Sequence, residues 1–433
     1  MPLIVNLENQ LACYSGHEQL WGRVVFHCPN PIEAQDVRVI FTGRVKAKVQ
    51  KVKAAAPSAT YRSKCILFEQ VKTLSSVSGG KLQRGTYEWP FEFVFPSHVE
   101  SSAKWPPKHP FRSDGDHSLP PTFAVEVDDS QRKVHCAIDY RIEAQISKPQ
   151  KSLLGKKAPL FSEAIRLNFL PLSAQMEETD NWENLYQRQQ EEVFTVKSLL
   201  LLPENRGRSL KTQEKFRSWL APKQLPRFDF RASFIYCNRV VQGSPVPCWL
   251  DVTPLMDGAS SFPYPGIMLQ SVSLVVLCQT AARANKALMG QMDAEVDERM
   301  EVLSKTSLGM PVLGQIDLNE AFGPLIFRNS DVSFSTFNIC RSYRICASFV
   351  FECVGKTLEF NVADLAFEMV ANALERNVIS PMEQGTTYNQ VFEMADATSR
   401  RSSSSESYEV EPPSYPSKTA VYELPAAGLE KAK

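Results

Sequence analysis

The sequence predicts an all-β protein with two β-sandwich domains in tandem and a disordered C-terminal tail. Three observations support this prediction. Short apolar or alternating segments recur from residue 3 to about residue 370, with glycine, proline and asparagine between them. These segments are rich in β-branched and aromatic residues, which favour strands. A polar stretch interrupts the pattern near the middle of the chain. Many short strands separated by turns are typical of sandwiches.

The first domain is predicted to cover residues 1–171. Its predicted strands are residues 20–27, 37–49, 87–95, 122–127 and 134–146. Turn signals lie between them, among them Pro29-Asn30-Pro31, Gly79-Gly80 and Asp114-Gly115. Because glycine and proline favour turns and interrupt strands, these positions separate neighbouring strands.

Residues 172–226 are predicted to connect the two domains. The stretch is rich in glutamine and glutamate, and the spacing of Trp182, Leu185, Tyr186 and Val193 is that of a helix. Prolines further along limit the length of any helix. We therefore expect a connection with one or two short helices.

The second domain is predicted to cover residues 227–370. Its predicted strands are residues 228–237, 246–252, 268–278, 333–339, 343–353 and 357–362. The charged residues 285–309 predict a long loop between two of these strands. Residues 371–433 are predicted to form a mostly disordered tail. That tail has too few apolar side chains to offset the entropy cost of ordering.

Charge and cysteine usage limit the function classes. Basic and acidic residues both total 48, which gives no indication of a nucleic-acid partner. The first 170 residues nevertheless carry a net charge of +7 and the remainder −7, so the first domain favours an anionic surface. Ten scattered cysteines without a C-x-x-C pair indicate buried free thiols in a reducing compartment. With no legible signal peptide or membrane span, a cytoplasmic location with peripheral recruitment to the plasma membrane or endosomes is expected.

The tail contains the motif P-P-x-Y at Pro412-Pro413-Ser414-Tyr415. WW domains bind this sequence in an aromatic-lined groove, because the prolines already favour the polyproline II conformation. By composition alone, such a tetrapeptide occurs in roughly 5% of chains of this length. The motif therefore indicates a function mainly because it follows a β-rich body.

Several segments resemble those of arrestins. In the first domain they are residues 14–24 (with Tyr14, Gly16, Gly22 and Val24), 37–43, 85–96, 119–123 and 138–142. Residues 240–252 and 334–345, with the turn at 353–356, are similar to parts of arrestin carboxy-terminal domains. Together with the P-P-x-Y tail, the chain resembles the α-arrestins, or arrestin-related trafficking adaptors, of fungi and animals, and a fungal source is expected.

This resemblance implies two immunoglobulin-like sandwiches end to end and no catalysis. It implies an adaptor whose body holds a plasma-membrane transporter or receptor. The tail of such an adaptor recruits a HECT-type ubiquitin ligase through its WW domains, and the cargo is then ubiquitinated and internalised. The chain departs from the pattern in having a single P-P-x-Y, since Tyr422 lacks the preceding prolines.

Two further sets of residues are candidates for function. Arg44, Lys46 and Lys48 alternate with apolar residues, which predicts an outward basic stripe facing cargo or anionic lipid. Ser402, Ser403 and Ser404 follow two arginines and resemble a kinase site, whose phosphorylation would add negative charge near the WW-binding motif. Unchanged ligase recruitment and unchanged cargo uptake after substitution of residues 402–405 by alanine would exclude that hypothesis.

No motif indicates an enzyme, a cofactor or a metal site. His109 and His117 lie in a Pro/Asp-rich loop and are expected to face solvent. Two alternatives stay open: an arrestin-like signalling scaffold, for instance in pH or nutrient sensing through a membrane receptor, and a retromer-type sorting subunit. If the protein is a trafficking adaptor, Tyr415→Ala would slow the turnover of a plasma-membrane transporter. In a signalling scaffold it would abolish a transcriptional response, and a sorting subunit would co-purify without a HECT ligase.

Overall fold

The computed structural model describes residues 3–51, 59–101, 106–128, 132–148, 159–171, 186–205, 208–214, 225–255, 264–286, 290–327 and 331–372. Twenty-one β-strands account for most of these residues, so the predicted all-β class is confirmed. Within the same ranges, no helix combines the length and apolar character needed to cross a membrane. None of the ten cysteines forms a disulfide, and eight of them are buried, as expected for structural thiols.

Ten strands form the first half of the fold. They are β1 (Leu3–Leu7), β2 (Gln19–Cys28), β3 (Ile32–Glu33), β4 (Asp36–Lys51), β5 (Thr60–Ser76), β6 (Lys81–Leu82), β7 (Gly85–Val94), β8 (Phe123–Asp128), β9 (Arg132–Ile146) and β10 (Phe161–Leu167). Strands β1, β2 and β7 form one sheet, and β3 pairs with β6. Strands β10, β9, β4 and β5 lie in that order in a much larger sheet, with β8 paired to β9. A short 3₁₀ turn at Ser78–Gly80 precedes β6.

Eleven strands form the second half. They are β11 (Gln187–Lys197), β12 (Arg227–Cys237), β13 (Arg239–Val241), β14 (Cys248–Leu255), β15 (Ile267–Lys286), β16 (Gly290–Lys305), β17 (Met310–Pro311), β18 (Gly314–Asp317), β19 (Phe334–Ser335), β20 (Ile339–Cys353) and β21 (Lys356–Val370). Strands β11, β12, β14 and β18 form a four-stranded sheet. Helix α1 (Leu318–Phe322) is capped by Asp317, and 3₁₀ turns lie at Leu199–Leu201 and Pro203–Asn205.

One large sheet of twelve strands passes through both halves. After β5 it continues into β15, β20, β21 and β13, and the register of β5 with β15 rests on the backbone pair of Arg62 with Asn285. Buried apolar side chains form two main clusters, one in each half. Ala282, Ala284 and Ala294, at the tip of the β15–β16 hairpin, belong to the first cluster. The hairpin of the second half therefore extends into the core of the first.

The segment around Tyr14 has direct structural roles. Tyr14 is buried, and its hydroxyl donates a hydrogen bond to the carbonyl of Asn9 at 2.9 Å. Gly22 lies where β1 and β2 approach each other closely, since a Cβ at this position would come within 2.1 Å of the Asn6 carbonyl oxygen. Any larger residue at position 22 would force the two strands apart.

Two predictions about the second half are wrong. The helix expected from the spacing of Tyr186 and Val193 is absent, because residues 187–197 form strand β11, which pairs with β12 along its whole length. Short helical turns in the expected stretch do occur at Leu199–Leu201 and Pro203–Asn205. Residues 290–305 form strand β16, paired with β15, where a long charged loop was expected. In β16 the buried Ala294 and Val296 alternate with acidic residues, which is the period-two pattern of a strand with one face in the core.

Candidate functional site

The predicted basic stripe on β4 presents less charge than its sequence suggested. Arg44 is only 7% exposed, so the prediction that it faces solvent is wrong. Its Nη2 lies 2.6 Å from Oδ2 of Asp139, the residue opposite it on β9. The Nζ of Lys46 lies 3.4 Å from Oδ1 of the same carboxylate. Asp139 therefore pairs with two of the three predicted residues, and Arg44, Lys46 and Asp139 together keep one positive charge.

The protonation of Asp139 follows from these contacts. Burial alone would raise the pKa of its carboxyl group, but Arg44 and then Lys46 outweigh burial, and the pKa lies below the ordinary value. Asp139 is therefore ionised at neutral pH. The three side chains form a partly buried charged cluster whose first role is to hold β4 and β9 together.

Lys48 is the most available residue of the stripe. It is half-buried and makes no ion pair with any residue that the structure describes. Burial lowers the pKa of Lys48, the neighbouring Arg62 lowers it further, and Glu126 opposes both effects. On β9, the neighbour opposite Lys48 is His135, whose pKa is also lowered by burial.

The tail motif and the candidate phosphorylation sites lie outside the described residues. These are the WW-binding residues Pro412, Pro413, Ser414 and Tyr415 and the serines Ser402, Ser403 and Ser404. Their assignments therefore stay predictions from sequence. Among the described residues, no group of histidine, cysteine or acidic side chains could hold a metal ion.

A cleft of about 800 Å³ lies where the two halves meet. Its walls from the first half are residues 15–17, Ser97, His98, Arg112, residues 117–121, Phe169 and Pro171, and from the second half Arg239, residues 332–335, Glu368, Val370 and Ala371. The cleft combines apolar surface, contributed by half-buried side chains such as Pro171 and Phe334, with hydroxyl, imidazole and guanidinium groups. Its size falls within the range of ordinary small-molecule sites, about 300–1,000 Å³.

The charged groups of the cleft are mostly basic. Arg112 is exposed, and its guanidinium makes no hydrogen bond or ion pair with any described residue. Arg239 stacks 5.1 Å from the ring centroid of Tyr186, donates from Nη1 to the Tyr186 hydroxyl at 3.0 Å and places Nε 3.3 Å from the Glu368 carboxylate. Among the described lining residues, Glu368 is the one carboxylate. The cleft therefore carries excess positive charge.

His117 forms part of the cleft wall and is buried, so the expectation that it faces solvent is wrong. Its Nδ1 lies 3.0 Å from the carbonyl oxygen of Asp114. A carbonyl can only accept, so Nδ1 carries the proton and Nε2 holds the lone pair in the neutral ring. Burial lowers the pKa of His117, which keeps the ring neutral. The positive charge of the cleft thus comes from its arginines rather than from this histidine.

A second arginine cluster fixes the two halves to each other. We call residues 106–112, which lie across the β15–β16 hairpin, the strap. Arg283 of β15 is fully buried, and it donates to the carbonyls of Pro106 at 3.1 Å and Lys108 at 3.4 Å. Its guanidinium lies 4.5 Å from the ring centroid of Phe111, and Lys108 pairs with Asp293 of β16. The strap is therefore held by the second half through the buried Arg283 together with the exposed pair of Lys108 with Asp293.

Further contacts continue this junction. The hydroxyl of Ser63 on β5 donates to the Arg283 carbonyl at 2.7 Å and accepts from Nδ2 of Asn338 at 2.7 Å. Near it, the buried Arg341 of β20 bonds to Glu298 at 2.7 Å and stacks toward Phe123 of β8 at 5.8 Å. These polar groups lie between the two apolar cores.

Sequence reasoning did not identify the cleft. Arg112 and Arg239 are 127 positions apart in the chain, and neither belongs to a recognisable motif. The loop that carries Arg112 and the short strand β13 that carries Arg239 meet only in the folded protein. The surplus of basic residues in the first 170 positions indicated an anionic partner but not where it would bind.

Residues 3–160 match the family model of the arrestin (or S-antigen) N-terminal domain. The matched range contains strands β1 to β9 and ends just before β10. No curated protein matches the chain. The match and the β-sandwich architecture together support an arrestin-like adaptor role in general terms.

Proposed function

We propose that this protein is an adaptor that brings a HECT-type ubiquitin ligase to a plasma-membrane transporter or receptor. In this proposal the body binds the cargo, and Pro412-Pro413-Ser414-Tyr415 binds the WW domains of the ligase. The cargo is then ubiquitinated and internalised. The observation that carries the proposal is the match of residues 3–160 to the arrestin N-terminal domain, in a chain that also contains a P-P-x-Y motif.

The fold supports a body that binds the cargo and a separate tail that binds the ligase. Two cores crossed by one shared sheet, with the strap bonded to the second half through Arg283, make a body suited to presenting a fixed surface to cargo. A single P-P-x-Y peptide binds a WW domain weakly, at around 10–100 μM or about −5.5 to −7 kcal/mol. Useful recruitment would therefore need several WW domains on the ligase, or co-localisation at a membrane.

The test is binding of isolated WW domains of a HECT-type ligase to the full-length protein. Tyr415→Ala and Pro413→Ala are expected to weaken binding at least about tenfold, because the ring and the proline fill neighbouring pockets of the groove. Tyr422→Ala is the matched control, since Tyr422 is also a tail tyrosine but lacks the preceding prolines. It should bind like the wild type.

The same variants test the cargo half of the proposal in cells. Tyr415→Ala should lengthen the surface lifetime of the transporter or receptor that the adaptor serves, whereas Tyr422→Ala should not. If WW binding is unaffected by Tyr415→Ala, the ligase assignment is wrong. If binding is lost while the turnover of membrane proteins is unchanged and a transcriptional response fails, the protein is a signalling scaffold instead.

A further inference from the structure

The cleft between the two halves has the composition of a ligand site rather than of an interface. A guanidinium that pairs with no neighbouring side chain keeps its donors available to a ligand. Here the exposed guanidinium of Arg112 has no partner among the described residues, and its backbone N–H donates to the Thr336 carbonyl at 2.9 Å. Arg239 engages Glu368 and Tyr186 through Nε and Nη1 but leaves Nη2 without a partner among the described residues. Two cationic donors, one from each half, therefore line the same cavity with spare hydrogen-bonding capacity.

The remaining polar groups of the cleft suit the same kind of ligand. Ser118 contributes a hydroxyl group, which can donate to an oxygen. The hydroxyl of Ser97 lies 2.8 Å from Nδ1 of His98 and already has that partner. His17 lines the cleft with φ at 67°, and its backbone N–H donates to the Phe95 carbonyl at 2.8 Å. A left-handed conformation is uncommon for a residue with a side chain, and such conformations cluster at binding sites.

We propose that the cleft binds a small organic oxyanion, a phosphate monoester or a carboxylate, that contacts both halves of the protein. Arg112 and Arg239 hold the oxyanion, because a guanidinium presents donors in a planar fork that fits either group. The organic part of the ligand packs on the half-buried side chains of Pro171 and Phe334. The neutral His117 forms the wall without adding charge.

This inference is independent of the tail, since the cleft residues and the WW-binding motif are separate parts of the chain. A ligand that binds only the folded state raises its stability by mass action. Because the ligand would touch both halves, occupancy would couple the junction between them to the concentration of a metabolite. The adaptor could then respond to the supply of the compound.

Titration of the full-length protein with phenyl phosphate, benzoate and inorganic phosphate tests the proposal. Calorimetry up to about 10 mM ligand measures the affinity, and the shift of the melting temperature measures stabilisation. Saturable binding is expected for phenyl phosphate or benzoate, and the tighter of the two identifies the oxyanion. Inorganic phosphate should bind at least about threefold more weakly, because it lacks an apolar part.

The variants Arg112→Gln and Arg84→Gln form a matched pair, since both arginines are exposed and only Arg112 lines the cleft. Arg112→Gln should weaken binding at least about tenfold, and Arg112→Lys should restore part of it, because lysine keeps the charge but not the fork. Arg84→Gln should bind like the wild type.

Three results would overturn the proposal. They are the absence of saturable binding for all three probes, binding that Arg112→Gln leaves unchanged, and equal weakening by Arg84→Gln. Circular dichroism of each variant must match the wild type, and Arg112→Lys provides a second test should Arg112→Gln fail to fold.

Discussion

The stripe on β4 and the cleft between the halves each contain an arginine, and the two arginines differ in exposure and in pairing. Arg44 was expected to be exposed, but it is 7% exposed and paired with Asp139 at 2.6 Å. Nothing in the sequence singled out Arg112, yet its side chain is exposed and its guanidinium has no partner among the described residues. The comparison shows that a basic residue in a regular pattern can be the less available one.

The physical reason lies in what a strand pattern specifies. Alternation along β4 places Arg44, Lys46 and Lys48 on one face, but it does not say which residue of the neighbouring strand lies opposite. The register with β9 brings Asp139 opposite Arg44. Arg112 belongs to a loop, where the final position depends on contacts with the other half of the chain. Whether a charged side chain can contact a binding partner therefore depends on its neighbours in the fold rather than on the sequence pattern.

The largest expected effect is the loss of Asp139. Replacing it by alanine leaves Arg44 buried without its carboxylate, so Asp139→Ala should lower the free energy of unfolding by about 3 kcal/mol. Urea denaturation at neutral pH measures this change. The matched control is Asp128→Ala, because Asp128 pairs with Lys133 at 3.1 Å on the exposed surface of β8 and β9. That substitution should cost less than about 1 kcal/mol.

The pH dependence of stability also tests whether the pair of Asp139 with Arg44 stabilises the fold. The pKa of Asp139 in the folded state lies below the ordinary value of 3.8. Its contribution is therefore complete above that value and is lost as the pH falls through the folded pKa. The stability difference between the wild type and Asp139→Ala should shrink only in strongly acidic solution. A difference that is already absent at neutral pH would mean that the pair with Arg44 contributes nothing.

An intermediate effect is expected at the strap. Arg283→Met keeps an apolar stem under Phe111 but removes the hydrogen bonds to the carbonyls of Pro106 and Lys108. Two lost charge-assisted bonds and a cation–π contact predict a destabilisation of about 2 kcal/mol. Limited proteolysis should cut the strap faster in this variant. Lys108→Met is the comparison, since it removes only the exposed pair with Asp293 and should therefore accelerate proteolysis less. Unchanged proteolysis in Arg283→Met would show that the strap does not depend on the buried cation.

Much of the architecture could be predicted from the sequence, because strand periodicity reports directly on burial. The predictions at 187–197 and 290–305 failed for one reason. Both are strands with a polar outer face, and their charged residues were taken as signs of helix or loop. The cleft could not be predicted, since its two arginines come from separate elements. For the tail the sequence stays the sole source, because residues 402–404 and 412–415 lie outside the described residues.

The smallest effect is expected from the stripe itself, in binding to anionic membranes. A lysine near such a membrane contributes roughly 1 kcal/mol, or about fivefold in affinity. Lys48 is half-buried, so Lys48→Gln should weaken co-sedimentation with phosphatidylserine vesicles by only about twofold, and less at high salt. Lys46→Gln should have a smaller effect still, because Lys46 already pairs with Asp139. Equal effects of the two variants would show that pairing with Asp139 does not limit the availability of charge on this face.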